Sequence, residues 1–172
     1  MVVRHPFERL LSAYRDKLED HLRGPQHGTF YYHRKFGRRI VSKYRKSNST
    51  RPEPSFEEFV DYLIDTDLAL YADDHWIPFY LFCTPCLVDY DFIVYFETLD
   101  EDFLLLLQRL NVERGPQWEH SALGGSSSQV ARSYFEKLSK VKVQRLFEKY
   151  RMDFQLFGYD ADPYFDIARD DE

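Results

Sequence analysis

Apolar residues recur at three- and four-residue spacing near the start of the chain, and this pattern predicts an amphipathic helix beginning at Pro6. The apolar stripe consists of Phe7, Leu10, Leu11, Tyr14, Leu18 and Leu22. Pro6 fits the first helical position, because the missing N–H costs nothing there. Gly24-Pro25 is predicted to end the helix. Val2 and Val3 are predicted to end a strand that leads into it.

A second helix is predicted after a polar, proline-containing stretch at residues 47–54. Ser55 and Glu58 have the spacing of a capping box, in which each side chain bonds the other residue's backbone N–H. The predicted buried face of this helix consists of Phe56, Phe59, Val60, Leu63 and Ile64.

Residues 91–97 predict a buried strand, because they are mostly β-branched or aromatic. Thr98 and Glu101 predict a second capping box, which opens a helix directly after the strand. The predicted apolar positions of that helix are Phe103, Leu104, Leu107 and Leu110. A strand that runs into a capped helix is typical of a βα unit, so the expected fold class is α/β with a parallel sheet flanked by helices.

The last third of the chain is predicted to be a loop followed by two helices. Residues 115–128 are rich in Gly and Ser. Helices are expected at residues 129–138 and 141–157, with Gly158 as the cap that ends the second one.

Composition agrees with a folded domain. The 172 residues are 44% hydrophobic and 17% aromatic, which supports a large core and excludes disorder driven by composition. No uncharged apolar run reaches the roughly 20 residues of a membrane span. The longest uncharged stretch, residues 76–88, contains Pro78 and Pro85. The amino end lacks the pattern of a secretory signal.

The formal charge of −6 is unevenly distributed. Residues 160–172 carry six acids and one base, so they form an acidic tail, while residues 1–159 carry 22 bases and 23 acids. Residues 34–46 contain seven bases and no acid, namely Arg34, Lys35, Arg38, Arg39, Lys43, Arg45 and Lys46. We call these seven residues the basic strip. It indicates a polyanionic partner or a solvated surface, and nucleic acid is the least favoured polyanion because the rest of the chain is not basic.

Cys83 and Cys86, the only cysteines, have a spacing that could serve half of a zinc site, a redox pair or a local disulfide. Zinc would need two further ligands, and a redox motif should open a helix, whereas residues 87–96 predict a strand. A structural pair is therefore favoured and no metal is expected. Asn48-Ser49-Thr50 is a glycosylation sequon that matters only in the secretory pathway.

The junction of Val3 with the first helix is a candidate anion site. Arg4 supplies a fixed cation where a helix amino terminus offers free N–H groups and the positive end of its dipole. Ser12 lies eight residues further on and offers a hydroxyl. The alternative is an arginine without function before a helix.

Four ordered blocks carry a resemblance. Residues 3–17 resemble the 3′-phosphate-binding segment of the Golgi carbohydrate sulfotransferases, in the group of the chondroitin and dermatan 4-O-sulfotransferases and the HNK-1 sulfotransferase. His75-Trp76 with Leu81, Cys83, Pro85 and Cys86 forms the second block. Residues 90–99 form the third and residues 150–159 the fourth. Together they cover residues 3–159, which is more specific than one motif.

The resemblance implies a P-loop-like sulfotransferase fold and transfer of a sulfuryl group from 3′-phosphoadenylyl sulfate (PAPS) to a hydroxyl of an acidic glycan such as chondroitin or dermatan. It places the donor's 3′-phosphate against Arg4 and Ser12. A base must take the proton of the hydroxyl, and His75 is the first candidate because imidazole titrates near neutrality. Glu97 is the second. The alternatives are a histidine that bonds only within its loop and a structural glutamate at a strand end.

In this setting the basic strip, with Arg34, Lys35, Arg38 and Arg39, would hold the acceptor glycan. Glycosylation at Asn48 and a disulfide between Cys83 and Cys86 are expected of the oxidising Golgi lumen, with the protein on the lumenal side of the Golgi membrane.

The sequence departs from the family at its amino end. Members carry a membrane anchor and a phosphosulfate-binding loop upstream of the first block, and neither is found here. We therefore expect a partial sulfotransferase domain at residues 1–159, without its amino-terminal βα unit, from a truncated gene model, a short isoform or a degenerate copy. The alternative function is a catalytically inactive fragment that acts as a polyanion-binding module.

Overall fold

The computed structural model describes residues 1–22, 24, 28–46, 48–112 and 127–170. Two strands and ten α-helices are found in these ranges. The strands are β1 (Val2–Val3) and β2 (Val94–Tyr95). The helices are α1 (Pro6–Lys17), α2 (Thr29–Tyr32), α3 (Arg38–Tyr44), α4 (Phe56–Asp65), α5 (Leu68–Tyr71), α6 (Phe79–Phe82), α7 (Leu99–Arg109), α8 (Ser127–Phe135), α9 (Lys140–Phe157) and α10 (Asp162–Phe165). A π-helical segment, His33–Gly37, joins α2 to α3, and a 3₁₀ turn, Phe96–Thr98, joins β2 to α7.

The two strands pair in parallel, with Val2 opposite Val94 and Val3 opposite Tyr95. The predicted parallel pairing is therefore confirmed, and each strand leads into a helix. The described chain is nevertheless mostly helical, so the α/β class applies to it only in part. The predicted strand at residues 91–97 is reduced to two residues, because the chain turns into the 3₁₀ segment directly after Tyr95.

An aromatic-rich core lies between α1, α4, α8 and α9 in the part of the chain that the structure describes. Phe7 of α1 stacks on Phe135 of α8, with ring centroids 4.8 Å apart. Trp76 is fully buried and meets Phe36 and Phe59 edge to face, at 4.9 and 5.4 Å. Such ring pairs add to the stabilisation that burial of their large surfaces provides.

Helix α1 begins at Pro6 as predicted but ends earlier than expected. The backbone N–H groups of Leu18 and Glu19 both bond the carbonyl of Tyr14, which closes the helix. Leu22 is 79% exposed, so the apolar stripe ends at Leu18 and the prediction for Leu22 is wrong.

The first predicted capping box is present and the second is absent. Ser55 and Glu58 bond each other's backbone N–H at the start of α4. At the start of α7, Asp102 instead accepts the N–H of Tyr95 at 2.8 Å and the hydroxyl of Thr98 at 3.0 Å, and Thr98 bonds no helix N–H. The carboxylate four residues after Thr98 therefore replaces the predicted box.

The last two long helices agree with the prediction within three residues at each end. Gly158 ends α9 with φ +67°, a left-handed conformation that glycine adopts without strain. Residues 160–170 fold back on the core, because Tyr164 and Ala168 are buried and the backbone of Arg169 pairs with that of Ser139. Most of the predicted Gly/Ser loop lies outside the described residues.

Candidate functional site

The candidate anion site lies where β1 enters α1. Arg4 is half-buried, and its guanidinium carbon lies 4.4 Å from the centre of the Phe96 ring. Its Nε atom is buried and has no hydrogen-bond partner among the described residues. Burial lowers the pKa of Arg4, and the nearby carboxylates of Glu8 and Glu97 oppose this effect. A buried N–H donor without an acceptor costs free energy, so Nε of Arg4 favours a ligand that supplies a hydrogen-bond acceptor.

Ser12 lies on the exposed side of α1. The rise of a helix places it roughly 9 Å along the axis from Pro6. No hydrogen bond joins it to Arg4, so only a ligand that extends along the first two turns could contact both side chains. The structure therefore places Arg4 just before α1 and Ser12 within it, and it does not bring the two predicted donor residues together.

Glu97 lies at the same junction but is engaged on both oxygens. Its Oε1 accepts the backbone N–H of His5 at 2.7 Å, and its Oε2 accepts the hydroxyl of Tyr159 at 2.9 Å. Burial and this carboxylate raise the pKa of Tyr159. Glu97 thus ties the start of α1 to the segment after α9, a geometry that suits a structural role better than a base.

His75 lies in a loop before α6, where its ring contacts a carboxylate and a phenol. Its Nδ1 is 2.7 Å from Oδ1 of Asp73 and 3.2 Å from the hydroxyl of Tyr32. Since a carboxylate accepts hydrogen bonds, Nδ1 donates to Asp73, and Nε2 is the ring nitrogen that remains open to a ligand. The side chain is 39% exposed, so a ligand can reach it. Burial and Asp73 raise the pKa of Tyr32 to about 12, so this phenol stays protonated.

The loop after His75 is fixed by two residues of α9. The hydroxyl of Tyr150 donates to the carbonyl of Trp76 at 2.5 Å. The carboxylate of Asp153 accepts the backbone N–H groups of Phe79 and Tyr80, at 2.7 and 2.8 Å. These contacts join the second block of the resemblance to the fourth. The patterns of apolar residues gave no sign of them, because the partners are more than seventy residues apart.

The basic strip is less free than its sequence suggests. Arg45 bonds both oxygens of Glu58 at 2.8 and 2.9 Å, and Lys43 lies 3.5 Å from Asp65. The four residues predicted to bind the acceptor are all exposed, namely Arg34, Lys35, Arg38 and Arg39. Lys35 lies 3.9 Å from Asp73, the residue that holds His75. The strip therefore adjoins the histidine site.

The remaining predicted sites stay predictions. Asn48 is exposed. The thiols of Cys83 and Cys86 are free in the structure, and burial raises the pKa of Cys83. Among the helices of the described ranges, none has the length and apolar character needed to cross a membrane.

Comparison with known proteins identifies relatives along nearly the whole chain. A family profile described as "Sulfotransferase family" matches residues 1–160. Human carbohydrate sulfotransferase 8 is 36% identical over 97% of the chain, and human carbohydrate sulfotransferase 9 is 35% identical over 91%. Mouse carbohydrate sulfotransferase 11 is 33% identical over 95%. The chain spans 40%, 36% and 47% of the lengths of these three relatives, and no solved structure matches it.

Proposed function

The chain belongs to the sulfotransferase family, and on that premise we propose that it takes part in transfer of a sulfuryl group from PAPS to a hydroxyl of an acidic glycan, of the chondroitin or dermatan class. The curated relatives are named as carbohydrate sulfotransferases, which supports a sugar acceptor. The observation that carries the proposal is the position of the His75–Asp73 pair beside the exposed cations of the basic strip.

The donor's 3′-phosphate is assigned to Arg4 and Ser12. The buried, unpartnered Nε of Arg4 supports this assignment, because a phosphate oxygen would satisfy it with a charge-assisted hydrogen bond. The amino terminus of α1 adds a favourable dipole for an anion. Ser12 then marks how far the ligand extends along the exposed side of α1.

His75 is assigned as the base. In the reaction that PAPS supports, a new bond forms between sulfur and the acceptor oxygen while the bond from sulfur to the 5′-phosphate breaks, releasing adenosine 3′,5′-bisphosphate. Nε2 of His75 takes the proton of the acceptor hydroxyl. Asp73, bonded to Nδ1, then stabilises the imidazolium that forms. Glu97 is less suited, because both of its oxygens already accept hydrogen bonds.

The basic strip is assigned to the acceptor. Arg34, Lys35, Arg38 and Arg39 present side chains to solvent on consecutive turns, and a polyanionic glycan is attracted to such a field. Lumenal Golgi location, glycosylation at Asn48 and pairing of Cys83 with Cys86 are parts of the same proposal, since this chemistry and these modifications belong to that compartment.

Transfer of label from radiolabelled PAPS to desulfated chondroitin tests the proposal. We expect incorporation by the wild type and a loss of roughly 10²- to 10⁴-fold in His75→Ala. Glu136→Gln, an exposed change on the turn after α8, serves as the control and is expected to retain the rate. Folded wild type that binds desulfated chondroitin but incorporates no label would contradict transfer. That outcome would support the alternative, a catalytically inactive polyanion-binding module, which the exposed basic strip also favours.

A further inference from the structure

We propose that Arg9 is a positioning residue, whose guanidinium fixes the loop carrying His75 to α1, the helix that carries Ser12 and directly follows Arg4. The inference rests on the proposed function, in which His75 is the base and the start of α1 holds the donor. Arg9 has no role in that proposal. Its hydrogen bonds are to backbone carbonyls of the His75 loop and not to the imidazole.

Arg9 forms two hydrogen bonds to the backbone of the loop, one on each side of His75. Nη1 of Arg9 donates to the carbonyl of Ile77 at 2.7 Å, and Nη2 donates to the carbonyl of Asp74 at 3.0 Å. Asp74 and Ile77 lie on either side of His75 and Trp76 in the sequence. Two bonds from one planar group to both ends of a four-residue segment leave that segment little freedom to rotate.

The surroundings hold the guanidinium in this position. Its carbon lies 4.1 Å from the centre of the Phe79 ring, an arrangement that favours a cation over an aromatic face. Burial lowers the pKa of Arg9, while Tyr150 and Asp153 oppose that effect. Asp153 also accepts the N–H groups at the start of α6, so α1, the loop and α9 are joined around one half-buried cation.

A guanidinium is needed for this arrangement. Lysine carries a single ammonium on a flexible stem, so it cannot reach both carbonyls with the fixed geometry of the arginine fork. In Arg9→Lys the positive charge remains, whereas the pair of hydrogen bonds to the carbonyls of Asp74 and Ile77 is lost. The substitution therefore separates the positioning of the His75 loop by Arg9 from the electrostatic effect of its charge on Asp153.

The predicted consequence is a change in the His75 ring itself. With the loop fixed, Asp73 keeps the proton on Nδ1 and leaves Nε2 free. When the loop moves, the bond to Asp73 is intermittent and the two neutral tautomers mix. Nitrogen-15 chemical shifts of the imidazole distinguish these states, and a residue that only adds stability would leave them unchanged as long as the protein is folded.

The experiment compares wild type, Arg9→Lys and the control Arg15→Lys, which changes an exposed arginine on the same helix. We expect Arg9→Lys to lower kcat by roughly tenfold to a hundredfold through misplacement of the base, with the KM for PAPS within about threefold. We also expect mixed His75 tautomers in Arg9→Lys and a single Nδ1–H tautomer in wild type and Arg15→Lys. If Arg9→Lys does not fold, Arg9→Gln carries the same test without a charged side chain at this position.

Unchanged kcat together with an unchanged His75 tautomer in the folded variant would overturn the inference. Failure of the proposed function gives a different result. Wild type would then transfer no label, and the tautomer measurement would still decide whether Arg9 positions His75.

Discussion

Nδ1 of His75 lies 2.7 Å from Oδ1 of Asp73, so a carboxylate holds one ring nitrogen and leaves the other for a ligand. Asp73 also faces the hydroxyl of Tyr32 and the ammonium of Lys35, at 3.4 and 3.9 Å. One carboxylate therefore connects the candidate base to the segment that carries the exposed cations. In the proposed function, this arrangement would place binding of the acceptor and its deprotonation at neighbouring positions.

The first prediction concerns this carboxylate. Replacing Asp73 with Asn removes the charge that stabilises a protonated His75 and weakens control of the tautomer, so we expect the transfer rate to fall at least roughly tenfold. Asp166→Asn, an exposed change directly after α10, is the control and is expected to retain the rate. The measurement is the initial rate of label transfer at saturating PAPS. A rate in Asp73→Asn equal to that of the wild type would exclude Asp73 from the mechanism.

The second prediction concerns the basic strip. Arg38→Ala combined with Arg39→Ala should weaken binding to desulfated chondroitin by on the order of tenfold at low salt, with a smaller effect at high salt, because the attraction is electrostatic and screened. Arg145→Ala with Arg151→Ala removes the same charge from exposed positions on α9. Retention on a chondroitin column across a salt gradient measures the difference. A control pair that loses as much affinity would show that only net charge matters.

The third prediction concerns pH and His33. This ring is buried and stacks on His21 with centroids 4.6 Å apart. Burial, His21 and Arg38 lower the pKa of His33, and Glu53 opposes them. The unfolded chain therefore takes up the proton first, near pH 6.5, so this contribution to stability is complete above that pH and is lost as pH falls below it.

Urea unfolding at pH 7.5 and 5.5 tests the sign. We expect a lower free energy of unfolding at pH 5.5 in wild type and a smaller pH difference in His33→Gln. Burial also lowers the pKa of His5, so part of the dependence should remain in that variant. Burial raises the pKa values of Glu53 and Glu58, but hydrogen bonds from His21 and Arg45 respectively lower them by more. These two carboxylates therefore change the stability only below about pH 4.3, outside the range of this experiment. The same pH difference in both proteins would contradict the assignment.

Local sequence signals predicted those parts of the fold whose partners are close along the chain. The Ser55–Glu58 box is confirmed, because both of its bonds lie within four residues. The Thr98–Glu101 box is wrong, because Asp102 competes and also meets the backbone of Tyr95. Helix α7 has the expected position, yet Leu104 and Leu110 are 60% and 57% exposed, which its apolar pattern alone did not predict.

The residues of the candidate site could be predicted only where they belong to a sequence motif. Arg4, Ser12 and His75 came from the helix start and the resemblance. Tyr32 and Arg9 were missed, since they meet the His75 loop across more than forty residues. Asp73 is different, because its spacing of two residues from His75 is visible in the sequence and could have indicated a paired imidazole.

The central claim is that the start of α1 binds the donor through its 3′-phosphate. Isothermal titration with adenosine 3′,5′-bisphosphate and with adenosine 5′-monophosphate, which lacks the 3′-phosphate, tests it most directly. We expect wild type and the control Arg15→Ala to prefer the bisphosphate by about tenfold or more, the value of a charge-assisted hydrogen bond, and Arg4→Ala to lose that preference. Equal affinity of wild type for the two nucleotides, or an unchanged preference in Arg4→Ala, would contradict the claim.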